Sequence, residues 1–385
     1  LKSATSRPPR SPFVARHLSS PLLGVRWQEW SSLLRQSGGG VDWRFMPRAS
    51  LISLAAALNS LTERVNSSPK IDFPIPKAPI FIIGHWRSGT TLLHELLALV
   101  PEFVAPTTVD VFFPYASENA KRRLGWLFDT MVPEDRIIDR MAVSATSPQE
   151  EEFALAQMTG MSPYLTYCFP RAAQRYESYL DFDGVDEEAI ERWFVAYESF
   201  AGRLQMEHCG RLLFKSPPST ARIGLLASRY PDARFLHISR EPSEIIQSTL
   251  RMLKDSIPMA QLQSFEFGSL EQLVFDRARK MYARYFDAAT GLAGKRLLEI
   301  RFEDLIEKPR PTLRAVLNFL GPDEPTMAWE KLLDELKNRS GYQRNCYPQP
   351  TPRILERLCA ELAPYYQRFG YTLPPPSMIS RANNL

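Results

Sequence analysis

The chain reads as an α/β protein: a P-loop-like parallel sheet flanked by helices, with a helical N-terminal lead-in and a mostly helical insertion. Three observations predict this. PIFIIG at 79–84 is an apolar run that ends in glycine and runs straight into a helical pattern. LLFKS at 212–216, RFLHIS at 234–239 and RLLEIRF at 296–302 are further apolar runs, each followed by another helical pattern. Strands that alternate with helices need crossover connections, so they pair in parallel and the sheet is covered on both faces. Ligands of such sheets sit at the carboxyl ends of the strands.

Before the first strand, WQEWSSLLRQ at 27–36 and SLISLAAALNSLTERV at 50–65 repeat apolar residues at helical spacing, separated by SGGG at 37–40. NSSPKIDFPIPKAP, with four prolines between Pro69 and Pro79, cannot continue a helix and reads as an extended linker. The boundary is placed there: 1–75 as basic tail and N-terminal helices, 76–385 as the α/β domain. Helices are expected from about 89, at 220–230, from 243 and at 312–320. The insertion spans 101–211 and is the expected home of an acceptor pocket, with Trp126, Phe128, Tyr164, Tyr167, Phe169 and Tyr179 as candidate lining.

Of 385 residues, 44% are hydrophobic, enough for a sizeable core, and 47 basic against 43 acidic residues leave a net charge of +4. Nucleic acid is not implied, and any anion attraction must be local. Cys168, Cys209, Cys346 and Cys359 are widely separated with no CxxC pair, which argues against zinc or a disulfide framework and for a reducing, cytoplasmic setting. No apolar run approaches the roughly 20 residues of a membrane-spanning helix. Lys2, Arg7, Arg10, Arg16 and Arg26 fall in the first 28 residues with no acid, a bias read as a basic tail in preference to a transit peptide.

Gly84 and Gly89 bracket His85, Trp86, Arg87 and Ser88 with the glycine spacing of a P-loop, but Thr90 stands where its lysine belongs. The backbone N–H groups at the helix start and the hydroxyls of Thr90 and Thr91 still suit an anion. The grip on a terminal phosphate is gone, which disfavours a magnesium-dependent kinase. Arg87 adds a permanent charge in a planar fork. A second basic site follows in SREPSEIIQS, where Arg240 ends a strand and Ser248 lies about one turn into a helix; Pro242 suits a helix start and Ser243 its cap. Lys215 closes a third strand in FKSPPST, with Ser219 or Thr220 as the following cap. Cations from three strand ends suit a ligand with two phosphate positions.

From about residue 79 to 321 these motifs resemble, in order, the sulfotransferases that use 3′-phosphoadenosine 5′-phosphosulfate (PAPS). The resemblance implies that Arg87, Ser88, Gly89, Thr90 and Thr91 surround the 5′-phosphosulfate, that Lys215 lies near the transferring group, and that Arg240 and Ser248 hold the 3′-phosphate. It implies metal-free in-line transfer to a hydroxyl or amine of a small molecule, lipid or glycan. Two departures stand out: Leu92 replaces the tryptophan that stacks on adenine, and NRSGYQRN at 338–345, with Arg339 or Arg344, stands in for the usual closing RKG. Glu152 of SPQEEEF is the candidate general base, because Ser147, Pro148 and Glu150 fit a capping box; His94, Asp110 and His85 are the alternatives. Competing readings are an unusual P-loop kinase or NTPase, with Glu303 and Asp304 as metal ligands, and a noncatalytic nucleotide-binding protein.

Overall fold

In a computed structural model of the chain, the structure describes residues 20–65, 76–116, 121, 144–321, 329, 332–336 and 350–375. Five parallel strands, β1 (Ile80–Ile83), β2 (Phe103–Val104), β3 (Arg211–Lys215), β4 (Arg234–Ser239) and β5 (Leu297–Arg301), form one sheet in the order β2-β3-β1-β4-β5. The central strand, IFII, is buried along its whole length, as a strand covered on both faces requires. Its register pairs Ile82 with Lys215 and Ile83 with His237. That register brings the carboxyl ends of β1, β3 and β4 to one rim.

Side chains two apart on β1 serve opposite faces. Ile80 and Ile82 join Leu213, Leu236 and Ile238 in one core with Leu93, Leu96 and Leu97 of α3 (Thr90–Leu97). The opposite core carries Phe81, whose ring lies 5.3 Å from Phe235 and 5.7 Å from Phe214. The lead-in helices α1 (Trp27–Gln36) and α2 (Met46–Val65) belong to this second core through Trp30, Leu33, Ala49, Ile52 and Ala56. Arg48 ties α2 to the body by donating to the Gln261 carbonyl at 2.6 Å.

The insertion contributes α4 (Thr108–Phe112), α5 (Glu152–Thr159) and α6 (Glu187–Glu207). After β3 come a 3₁₀ turn at Pro217–Thr220 and α7 (Ile223–Arg229), then α8 (Pro242–Ala260), α9 (Leu270–Leu292), α10 (Phe302–Glu307) and α11 (Pro309–Leu320). The C-terminal pair is α12 (Pro352–Glu361) and α13 (Ala363–Phe369). On α11, Leu313, Val316, Leu317 and Leu320 form the buried stripe that the helical spacing predicts.

Four local expectations are corrected. β2, two residues long, is an edge strand too short to stand out in the sequence. The Pro217–Pro218 pair delays α7 until Ile223. Glu241, not Ser243, caps α8, its carboxylate accepting from Glu244 N at 2.9 Å. The capping box at Ser147 does not form: Pro148 bridges Thr107, Gln149 N donates to Pro106 O at 2.8 Å, and the helix starts at Glu152. Pairing with the 106–108 segment keeps 147–149 extended and leaves Glu150 outside the helix. Of the suggested pocket aromatics, Phe169 and Tyr179 are core residues; Trp126 and Phe128, like Cys346, Arg339 and Arg344, lie outside the described residues.

Candidate active site

The loop leaving β1 is built on close approaches. Gly84 has φ 148° and Gly89 φ 104°, and a Cβ on Gly84 would stand 2.5 Å from the Ile238 carbonyl oxygen. A Cβ on Gly89 would run into the Phe302 ring. Arg87 itself sits in the left-handed region at φ 69°, a conformation that persists only where its surroundings hold it. Arg240 and Ser248 bond to Arg87 itself, and the start of the loop is held by Thr220, whose hydroxyl accepts from Gly84 N at 2.8 Å and donates to Gly84 O at 3.1 Å. Thr220 was expected as a helix cap and is instead the pin between loop and β3. Thr220→Val is expected to lower stability by about 1–3 kcal/mol, because the N–H and C=O of Gly84 both lose this partner, while Thr220→Ser keeps it. Thermal denaturation of the two variants checks this; equal midpoints would show the pin to be dispensable.

The two distant arginines meet. Arg87 Nε donates to Ser248 Oγ at 3.0 Å, and Arg240 Nη1 donates to the Arg87 carbonyl at 3.3 Å. Arg240 lies over the Phe302 ring at 4.6 Å and also pairs with Glu244. Tyr365 fixes its backbone, accepting from Arg240 N and donating to Arg240 O, both at 3.0 Å.

Lys215 is almost wholly buried, and its Nζ lies 2.6 Å from Glu150 Oε1 and 3.5 Å from Thr91 Oγ1. The Tyr164 hydroxyl donates to Glu150 Oε2 and accepts from Trp86 Nε1 at 3.0 Å. A hydrogen-bonded chain thus runs from the loop at Trp86 through Tyr164 and Glu150 to Lys215.

A profile of the sulfotransferase family matches residues 79–325, which include the loop, Lys215, Arg240 and Ser248. The chain belongs to the sulfotransferase family. This sulfotransferase is 29% identical over 368 residues, 94% of each chain, to the omega-hydroxy-beta-dihydromenaquinone-9 sulfotransferase Stf3 of Mycobacterium bovis. Its fold is similar to that of the sulfotransferase STF9 from Mycobacterium avium, with TM-score 0.68, 17% identity and coverage of 96% and 99% of the two chains. It is likewise similar to STF1 from Mycobacterium tuberculosis, with TM-score 0.64, 17% identity and coverage of 91% and 99%.

The sulfotransferase sends its three consecutive glutamates to three different partners, with Glu150 and Glu151 ahead of the helix and Glu152 its first residue. Glu150 meets Lys215. Glu151 accepts from Lys215 N at 3.0 Å and from the Tyr197 hydroxyl at 3.1 Å. Glu152, the expected base, is instead fully buried in a two-point pair with Arg222 at 2.6 and 3.0 Å. Arg222 is packed over Phe182 and Trp193, so Glu152 spends both carboxylate oxygens on a buried guanidinium. Asp110 is engaged too, closing a capping box with Thr107 and pairing with Lys121 at 2.8 Å. The buried imidazole of His85 donates from Nδ1 to the Trp86 carbonyl, and burial pushes its pKa down to about 4. His94 is wholly buried on α3. Glu303, a metal-ligand candidate under the kinase reading, accepts from Glu241 N at 3.1 Å and from the Tyr371 hydroxyl at 2.8 Å.

Burial, reinforced by the charges of Glu152 and Glu150, pushes the Glu151 carboxyl up from the ordinary 4.5 to about 7. A carboxyl that is harder to ionise folded than unfolded favours the protonated native state, so stability falls as pH rises through 4.5 to 7 and then levels. Glu151→Gln should therefore match the wild type near the acid end of that window and exceed it above, by on the order of 3 kcal/mol. Denaturation midpoints across the window test this, and parallel curves for the two proteins would contradict it.

Proposed function

We propose that this sulfotransferase moves a sulfuryl group from PAPS to the hydroxyl of a lipid-like acceptor, with Glu150 in place of Glu152 as the base. The observation that carries the proposal is the contact between Arg87, Ser248 and Arg240 directly beside the loop. The loop also fits the donor: Ser88 Oγ is buried without a hydrogen-bond partner, a donor held for a ligand. When bound, PAPS supplies the sulfuryl group and a leaving phosphate. Ser88, Thr90, Thr91 and the backbone around Gly89 hold the 5′ end at the positive start of α3. Arg240 and Ser248 take the 3′-phosphate, and Arg87 serves the charge between the two ends. Lys215 supplies positive charge to the transferring group, where a fixed charge in a water-poor site stabilises developing negative charge most. Glu150 takes the acceptor proton, and Tyr164 holds its second oxygen in place. The acceptor class follows the relative whose name specifies an omega-hydroxylated dihydromenaquinone. The cytoplasmic setting expected from the sequence is part of this reading.

Calorimetry should show binding of PAP, the desulfated donor, without Mg²⁺, and labelled PAPS should transfer its sulfur to a long-chain lipid with a terminal hydroxyl. Magnesium-dependent ATP turnover without PAP binding would overturn the proposal in favour of a kinase.

A further inference from the structure

The lead-in helices carry a surface that neither the anion loop nor the Lys215 cluster uses. Among the described residues twelve large apolar side chains are exposed, and six of them, Trp27, Trp43, Met46, Leu54, Leu58 and Leu61, fall in this short segment. Leu54, Leu58 and Leu61 are spaced four and three apart, which places them along one face of α2. Ala49, Ile52 and Ala56 mark the opposite face and are buried in the core. α2 is therefore apolar on two sides and covered on one. The exposed Trp27 lies near one end of α2, its backbone N–H donating to Ser60 Oγ at 2.8 Å, and Met46 begins the helix at the other. An exposed leucine face of this kind, flanked in the chain by exposed tryptophan and methionine, marks an interaction surface on a folded chain.

Charge says what covers it. Residues 1–65 contain nine Lys or Arg against three Asp or Glu, although the whole chain carries only +4, so the entire positive excess lies in this segment. Trp43 stands exposed with the Arg44 guanidinium 5.6 Å above its ring. Exposed leucines on α2, Trp27 on α1, and Trp43 with the exposed Arg44 in the 3₁₀ turn at Trp43–Phe45 belong to a segment whose first 28 residues are basic and acid-free, and together they match the chemistry of an anionic lipid surface, which takes apolar side chains into its acyl boundary and attracts cations to its headgroups. The position suits the proposed reaction as well. α1 packs against α5, and the segment entering α5 bears Glu150, so the strip and the proposed base lie on contiguous elements.

We infer that the exposed face of α2, with Trp27, Trp43 and Met46, seats the enzyme on an anionic phospholipid bilayer from which it takes its acceptor. The inference deepens the lipid-acceptor reading and rests on it. The full chain is mixed with vesicles of phosphatidylglycerol and phosphatidylcholine and sedimented. Partition is expected to fall at least tenfold for phosphatidylcholine alone, and at least tenfold for the triple variant Leu54→Ser, Leu58→Ser, Leu61→Ser. PAP affinity and the thermal midpoint of that variant should match the wild type, since the three side chains are exposed. Equal partition of variant and wild type would overturn the inference. So would light scattering showing a vesicle-free dimer that the variant converts to monomer, which would make the strip an interface between copies of the chain. PAP binding is read without vesicles, so failure of the donor reading is seen separately from failure of the membrane one.

Discussion

Glu150→Gln is expected to slow sulfuryl transfer by about 10²–10⁴-fold while leaving PAP affinity within about threefold. The substitution is nearly isosteric. Its amide oxygen can still accept from Lys215 Nζ, now 2.6 Å from the carboxylate, so the cation keeps its place. What is lost is the ability to take a proton from the acceptor hydroxyl. The separation of rate from affinity is the informative readout: an anchor for Lys215 and a base predict opposite patterns. Loss of PAP binding with an unchanged turnover number would make Glu150 only the anchor. Tyr164→Phe, which removes the donor to the other carboxylate oxygen, should lower the turnover number by a smaller factor without altering PAP affinity. Single-turnover kinetics with PAP titrations on the same preparations decide between the two.

Arg240→Ala is expected to weaken PAP by about 10–100-fold, the effect of losing charge-assisted hydrogen bonds worth about 1.5–3 kcal/mol, and adenosine 5′-phosphate by less than about threefold. The comparison matters because Arg240 also donates to the Arg87 carbonyl, so its removal takes a bond from the loop that both ligands share. A disturbed loop would weaken both ligands equally, whereas a lost 3′-phosphate partner weakens only PAP. Glu244→Gln is the complementary control. Glu244 pairs with the Arg240 guanidinium, and releasing that hold should leave PAP affinity the same or improved. Equal losses for the two nucleotides would remove Arg240 from the role of 3′-phosphate reader.

The carriers of charge were legible because each sits at a strand's carboxyl end, and strand ends can be found from apolar runs. Lys215 ends β3, Arg240 follows β4 and Arg87 lies in the loop after β1. Which glutamate meets Lys215 was not legible. Glu150, Glu151 and Glu152 are the same residue type in a row, and the pairing of Pro148 with Thr107 that delays the helix joins segments about forty positions apart. Thr220 was legible only as a possible cap, and Tyr164 only as one of six candidate lining aromatics of the insertion; neither reading shows the partner it takes.

The amino-acid sequence by itself determined the alternation of strands and helices, the shape of the anion loop and which cations stand on its rim, because these follow from local periodicity and from backbone positions that only glycine tolerates. Only the tertiary structure decided which glutamate faces Lys215, that Arg222 claims Glu152, and that Arg87 and Ser248 touch. A side chain's direction and its partner's identity depend on contacts between segments far apart along the chain, and no local pattern encodes them.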